Sequence, residues 1–346
     1  MKLYNEYYYK DVNEAIQNTC NFQELKGKSI LITGASGLIG SFLIDMLLYA
    51  NRYYDMNIKI FALGRSTSRL EKRFYKEVNN SNLTFIEQDI EDELTLNKSC
   101  DYIVHAAGNA HPGAFSEDPI GTVRSSVLGI QYLLEYAKVH KVKRVLFISS
   151  GEVYGQQMEE AIKEDFKGSI DPINIRSCYP LGKQVAENLC IAYYKQFELE
   201  TIIARPCHIY GPTMMNIDNR ATAEFIRAGI AEESIIMKSE GNQVRSYCYI
   251  SDCAAALLTV LLCGKAGEAY NIAYSEAVCS IREFAMEVAN TVNKAIVYNE
   301  MSDKEKINQT PITRAVLDAS KLQALGWKGR ININQGIEHT IKILTT

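Results

Sequence analysis

One segment limits the fold of this chain more than any other. Ser29-Ile30-Leu31-Ile32 is an apolar run that ends in Thr33-Gly34-Ala35-Ser36-Gly37-Leu38-Ile39-Gly40, and a helical pattern, Ser41 to Ala50, begins at once. Glycines in the order TGxxGxxG have little meaning alone. Between a strand and a helix they allow a tight turn, close approach of the backbone to a diphosphate and close packing of helix on strand. The helix start adds unpaired N–H groups and the positive end of its dipole. The segment therefore predicts a dinucleotide site in which Gly34, Ser36, Gly37, Leu38, Ile39 and Gly40 face the ligand.

The rest of the first half agrees with such a site. Apolar runs at Ile58–Leu63, Leu83–Ile86, Asp101–Ala106, Arg144–Ser149 and Thr201–Arg205 alternate with helical patterns at Ser68–Val78, Pro119–His140 and Pro180–Phe197. Strand–helix alternation with near-continuous apolar strands specifies βαβ units and a parallel sheet. Right-handed crossovers then give an α/β, doubly wound sheet of the Rossmann type. After Pro206 the alternation fails, and a smaller C-terminal substrate lobe is expected. The division is residues 1–27 as a polar, Tyr-rich extension, 28–206 as the dinucleotide domain and 207–346 as mainly the lobe. Residues 245–265 are expected to pack back onto the first domain, with Ser251-Asp252 capping a helix from Cys253 to Leu262.

Composition excludes several other classes. The 346 residues are 47% hydrophobic and carry a net charge of −4, so neither disorder nor a basic surface for a nucleic acid polymer is expected. No apolar run is long enough to span a bilayer, and the N-terminus does not read as a signal peptide. The nine Cys form no CxxC pair, which predicts thiols in a reducing cytoplasm and no metal site.

Two further patterns concern chemistry. The second strand ends in Gly64-Arg65-Ser66, with no acid to bond an adenosine ribose 2′-hydroxyl. Arg65 and a hydroxyl suit a 2′-phosphate, which favours NADP over NAD; an Arg65 stacked on adenine would accept either. Asp89-Ile90, after the third strand, is placed to meet the adenine amino group or to cap a helix. Tyr179-Pro180-Leu181-Gly182-Lys183 reads YxxxK, which on a helix puts phenol and ammonium on one face. A nearby cation favours the phenolate, so Lys183 is expected to lower the Tyr179 pKa. Ser150 follows the strand Arg144–Ser149, at the carboxyl end where sheet ligands bind, and can bond the same substrate oxygen as Tyr179.

Strand-end Ser, YxxxK and TGxxGxxG in this order resemble the extended short-chain dehydrogenase/reductase family, the NAD-dependent epimerase/dehydratases of nucleotide sugars, over about residues 28–330. The resemblance extends to His105-Ala106-Ala107-Gly108, Arg205-Pro206, Tyr210-Gly211-Pro212, Arg245-Ser246-Tyr247 and Ile250-Ser251-Asp252. It implies that Ala106 and Ala107 line the cofactor, that Arg245 grips a substrate phosphate and that Lys183 also orients the nicotinamide ribose. Asp171-Pro172, Arg176 through Tyr179, His111-Pro112 and Asp118-Pro119 look most like the UDP-glucuronate decarboxylase branch. The departures bear on the reaction. Gly151 stands where the dehydratases carry an acid and the decarboxylases a serine. Glu152 remains as a base, a sugar contact or a loop carboxylate. His208 stands near the position of the family's usual Asn, as a phosphate donor or a core residue.

The resemblance implies hydride transfer at a sugar carbon, with Tyr179 exchanging a proton with the sugar oxygen. The missing acids at Gly151 and after the second strand favour an NAD(P)H-dependent 4-ketoreductase of a nucleotide 4-keto-6-deoxy sugar, such as dTDP-4-keto-6-deoxyglucose, for surface polysaccharide. The alternative is a UDP-glucuronate decarboxylase or 4-epimerase with retained NAD. A non-catalytic NAD(P) sensor is disfavoured by the intact Ser150, Tyr179 and Lys183. A homodimer built on the helix bearing YxxxK is also expected.

Overall fold

The computed structural model describes residues 3–346 except 109, 111, 158, 303–309 and 311. His111, quoted above, lies outside the described residues. The chain begins with helix α1 (Glu6–Gln17). The main sheet is built from β1 (Ser29–Thr33), β2 (Lys59–Gly64), β3 (Leu83–Glu87), β4 (Tyr102–His105), β5 (Arg144–Ile148), β6 (Glu200–Pro206) and β10 (Ala269–Ile272). Its order is β10-β6-β5-β4-β1-β2-β3, and every pair is parallel. The expected doubly wound sheet is present. The strand order reverses between β1 and β4, and the crevice above that point is where ligands of such sheets bind.

Alternation along the strands divides the core in two. Ile30, Ile32, Val104, Leu146 and Ile202 point to one face, and Leu31, Ile103, Val145, Phe147 and Ile203 to the other. Both sets are buried because both faces are covered. On the first face lie α1, α2 (Leu38–Tyr54) and α8 (Ile250–Cys263); on the second lie α5 (Pro119–Val139) and α6 (Cys178–Phe197). From Ile250 to Leu262 α8 is buried on all sides, so it packs as a central rod beneath the sheet. Among the described residues no helix is long and apolar enough to cross a membrane.

Three local expectations are corrected. Helix α3 (Thr67–Arg73) ends well before Val78, and Phe74, just beyond it, turns into the core. Ser251 and Asp252 do not cap α8, which starts at Ile250. The Asp252 carboxylate instead accepts from the backbone N–H groups of Arg330 and Ile331 at 2.8 and 2.9 Å, tying the C-terminal region to the helix. The seventh strand, β10, went unread because a polar residue interrupts it. Buried Asn271 donates to the Ile162 and Asp318 carbonyls and accepts from Tyr154 Oη.

The remaining strands form two small sheets beyond β6. In one, β9 (Val244–Tyr249) pairs with β7 (His208–Tyr210), β11 (Val278–Ser280) and β13 (Arg314–Ala315); in the other, β8 (Ile235–Met237) pairs with β12 (Ile296–Tyr298). Helices α7 (Ala221–Ile230) and α9 (Ile281–Val292) pack against each other beside them. Ser280 and Glu283 form a reciprocal capping box that starts α9.

Candidate active site

A cleft of about 520 Å³ runs across the carboxyl ends of β1, β2, β4 and β5 and on to β7 and β9. Its first half is made of backbone and small residues. Gly34 has φ +65°, and a Cβ there would stand 2.6 Å from Ala106 O. At Gly40 a Cβ would stand 2.4 Å from Gly34 O, so both positions require glycine for turn and packing. A Cβ on Gly37 would meet only Gly34 O, at 3.2 Å, and otherwise open space. Gly37 is also the N-cap of α2 and supplies no side-chain cap. The first N–H groups of a helix lack partners within it, so this end presents donors to the cleft. A diphosphate fits this cradle by charge and by space. Ser36, Leu38, Ile39, Ala106 and Ala107 line the same half.

At the far end of this half, Arg65 is exposed and Arg69, one turn into α3, also lines the cleft. Ser66 is the N-cap of α3 and accepts from Arg69 N at 3.3 Å, which commits its oxygen to the helix. Asp89 accepts from Glu91 N at 3.0 Å, as a turn cap does, and lines the cleft beside Ile90.

The second half is polar. The turn before α6 places its residues: Asn174 Oδ1 accepts from Arg176 N at 3.0 Å, and α6 starts at Cys178. Tyr179 therefore lies in the first turn, its ring stacked on Phe115 with centroids 4.7 Å apart. Lys183 follows one turn later. Its ammonium donates to Ile148 O at 2.8 Å and lies over the Phe147 ring at 4.7 Å. Burial pulls the Lys183 pKa down to about 8, against the opposing charge of Glu187. Tyr179 is pushed up to about 12, by burial first and by Glu152 next, while Ser150, Arg220 and Arg176 act in the opposite direction. The expectation of a lowered phenol is corrected: burial raises it, and the Lys183 ammonium, 6.0 Å from the Tyr179 ring centre, donates to a strand-end carbonyl while Arg220 and Arg176 oppose the rise. Ser150 Oγ accepts from Glu152 N at 3.1 Å, and Ser149 Oγ, beside it, is buried with no hydrogen-bond partner among the described residues.

Gly151 lies against Leu317, whose Cδ1 would be 3.1 Å from a Cβ. Glu152 forms a two-pronged pair with Arg176, at 3.0 and 3.2 Å. His208 lines the cleft and is held neutral: burial, then Arg245, Arg220 and Arg176, depress its pKa to about 3. Arg245 is only 2% exposed, so it is no surface ion pair. It donates to the carbonyls of Val244 at 2.9 Å and Ile312 at 2.5 Å, and burial lowers its pKa.

Some residues quoted with the resemblance do not reach the cleft. Arg205 is bound to Glu187 at 2.6 and 2.9 Å and packs over Tyr154. Tyr210 is buried with its hydroxyl toward Ile333 O. Conversely, the sequence reading passed over Arg220, whose guanidinium is clamped by Asp218 at 2.5 to 3.1 Å and faces the cleft. Burial penalises that charge, and Asp218 more than offsets the penalty. It also passed over Phe115 and Arg69. No motif marks these positions; an arginine two residues after an aspartate in a loop is a weak signal.

The family model of the NAD dependent epimerase/dehydratases matches residues 30–273. The chain belongs to that family. Among curated relatives, UDP-glucuronic acid decarboxylase 6 of Arabidopsis thaliana is 31% identical over 310 residues, covering 89% of this chain and 86% of its own. UDP-glucuronic acid decarboxylase 1 of Danio rerio is 29% identical, with 91% of this chain and 72% of that protein covered. Among solved structures, an epimerase of Methanothermobacter thermautotrophicus superimposes with a TM-score of 0.81 at 21% identity, covering 96% of this chain and 95% of that one. The UDP-glucuronic acid 4-epimerase of Bacillus cereus, solved with UDP-glucuronic acid and NAD, gives 0.76 at 24% identity, covering 91% and 98%. The epimerase/dehydratase family acts on nucleotide sugars with a nicotinamide dinucleotide, and the glycine cradle, Tyr179 and Lys183 stand in one cleft of this member.

Proposed function

We propose that this family member acts on a UDP-linked hexuronate and decarboxylates it, keeping its NAD through the cycle. One observation carries the reading: three guanidiniums, Arg176, Arg220 and Arg245, converge on the end of the cleft that holds Tyr179. A diphosphate answers Arg245, a buried cation that donates to two main-chain carbonyls. A sugar carboxylate suits a planar guanidinium fork beside the phenol. Two of the relatives named above are UDP-glucuronic acid decarboxylases, which supports the same reading.

The loop Gly34–Gly40 with Ala106 and Ala107 would hold the dinucleotide, which supplies a reversible two-electron acceptor for the sugar C4 hydrogen. Tyr179 takes the O4 proton and later returns it. Ser150 bonds the same oxygen, and Lys183 supplies positive charge and a grip on the cofactor ribose. Arg245, with neutral His208 beside it, holds the diphosphate. Loss of the C6 carboxylate needs no side-chain acid, because a ketone at C4 accepts the electron pair; Tyr179 and Ser150 are the groups that hold that oxygen. Gly151, packed on Leu317, is compatible with decarboxylation and weighs against water elimination, which needs an acid near the leaving hydroxyl.

A 4-ketoreductase using NADPH is the second reading, and Arg65 with Arg69 at the ribose end favours it. Chromatography of UDP-glucuronate reactions, with nicotinamide absorbance followed in parallel, separates them. Release of a UDP-pentose and carbon dioxide with no net change in absorbance is expected. Conversion to a second UDP-hexuronate would make the enzyme a 4-epimerase. No turnover of UDP-glucuronate, together with one-for-one NADPH oxidation by a 4-keto-6-deoxy sugar nucleotide, would install the reductase. We further infer that two copies pair through α5 and α6, which leave Ile120, Val123, Val139 and Val185 exposed; sedimentation should give the dimer mass.

A further inference from the structure

Among the arginines at the Tyr179 end, Arg176 is held differently from the other two. Arg220 is chelated by Asp218 of its own loop, through both carboxylate oxygens. Arg245 is anchored to two main-chain carbonyls. Arg176 is held by Glu152, a carboxylate from a separate turn, Gly151–Tyr154. Its guanidinium lies 5.6 Å from the centre of the Phe115 ring, and its Nε is buried with no hydrogen-bond partner among the described residues. The fork is thus fixed from behind by packing, while its outward N–H pair is met by a carboxylate that also lines the cleft.

Position adds to this. Arg176 and Tyr179 pack on the same Phe115 ring, the guanidinium 5.6 Å and the phenol ring 4.7 Å from its centre. In a hexuronate whose O4 meets that phenol, the C6 carboxylate hangs from the adjacent ring carbon, C5. A guanidinium near the phenol is then within reach of it. Exchanging one carboxylate for another keeps the planar fork paired and frees the Glu152 carboxylate to accept from sugar hydroxyls, so an anionic sugar gains a contact without stranding the guanidinium. A neutral hydroxymethyl group cannot compete for the guanidinium, so Glu152 stays on Arg176 and that sugar gains neither contact.

We propose that Arg176 is the specificity-determining residue of this cleft: it receives the C6 carboxylate of the sugar in exchange for Glu152, which guards the fork until then. The inference rests on the hexuronate reading given above and assigns its selectivity to one side chain. Glu152, once displaced, faces the sugar ring.

The test is calorimetric binding to NAD-loaded Tyr179→Phe protein, in which turnover is blocked. UDP-glucuronate should bind at least about tenfold more tightly than UDP-glucose, the range for one charge-assisted two-pronged contact. Arg176→Gln should bring the two within about threefold and leave UDP alone unchanged. Arg176→Lys, which keeps charge but loses the fork, should retain part of the preference. Glu152→Gln removes the competitor and should strengthen UDP-glucuronate several-fold. A preference that survives Arg176→Gln would overturn the assignment and leave the hexuronate reading standing. No preference in the Tyr179→Phe parent would overturn both. Should Arg176→Gln fail to fold, a weaker UDP-glucuronate affinity in Glu152→Gln overturns the exchange.

Discussion

At one end of the cleft the groups facing a ligand are main-chain amides and small side chains from Gly34 to Gly40 and from Ala106 to Ala107. At the other they are the long charged side chains of Arg176, Arg220, Arg245 and Glu152, with Tyr179 and His208 among them. The first end is fixed by its backbone: added carbon at Gly34 or Gly40 would strike main-chain atoms. The second end is held by compensation. Arg176 and Arg220 each have a carboxylate partner, and Arg245 is buried on carbonyls. A cofactor common to a whole family can be met by backbone, whose geometry changes little with sequence. A particular sugar must be met by side chains, and their charges have to be balanced before it arrives.

The comparison can be broken at its chemical end first. Tyr179→Phe should leave dinucleotide affinity unchanged and lower kcat by about 10²–10⁴, the usual range for loss of a general acid–base; turnover within about threefold of wild type would remove Tyr179 from the mechanism. Next in size is Arg245→Met. Loss of a charge-assisted contact should weaken UDP binding by about 10–100-fold in calorimetry. The melting temperature should hold or rise, because the variant removes a buried cation from the free protein. A lower melting temperature with normal UDP affinity would make Arg245 structural.

Two smaller effects sharpen the dinucleotide end. In the free protein Lys183 loses its proton through about pH 8, below the ordinary lysine value. An anionic cofactor favours the ammonium, so above that pH binding must take up a proton. Dinucleotide affinity should then fall by up to about tenfold per pH unit above 8, with no such slope below, when titrated in buffers of different ionisation heat. Arg65→Asp is the mildest change. Arg65 is exposed and therefore screened, so NADPH affinity should drop about three- to tenfold more than NADH affinity. Equal losses would mean that Arg65 does not read the 2′ position.

What could be read from sequence divides along the same line. The glycine loop was legible because its residues are contiguous and each glycine answers a local steric demand. Tyr179 and Lys183 were legible as a helical i, i+4 pair. Their electrostatics were not, since burial raises the phenol, the ammonium donates to Ile148 O, and Arg176 and Arg220, which oppose the rise, lie outside that pair. Arg205 looked like a ligand contact and is a core ion pair with Glu187; Arg220 looked like nothing and faces the cleft. A charged side chain gains its role from its partners, and those partners lie far off in sequence: Arg205 meets Glu187 across 18 positions, Arg176 meets Glu152 across 24.

By itself, then, the sequence determined the parallel sheet and the cradle for a diphosphate. These follow from strand alternation, apolar runs and glycine spacing, which act between neighbours along the chain. Tertiary structure alone decided that Asn271 sits in a seventh strand, that Asp252 holds the C-terminal region and not a helix start, and that Arg176, Arg220 and Arg245 share one end of one cleft. Those outcomes depend on which buried polar groups find partners after the sheet has formed. Desolvation makes an unpartnered charge costly, so the final placement of each arginine is set by the whole packed molecule.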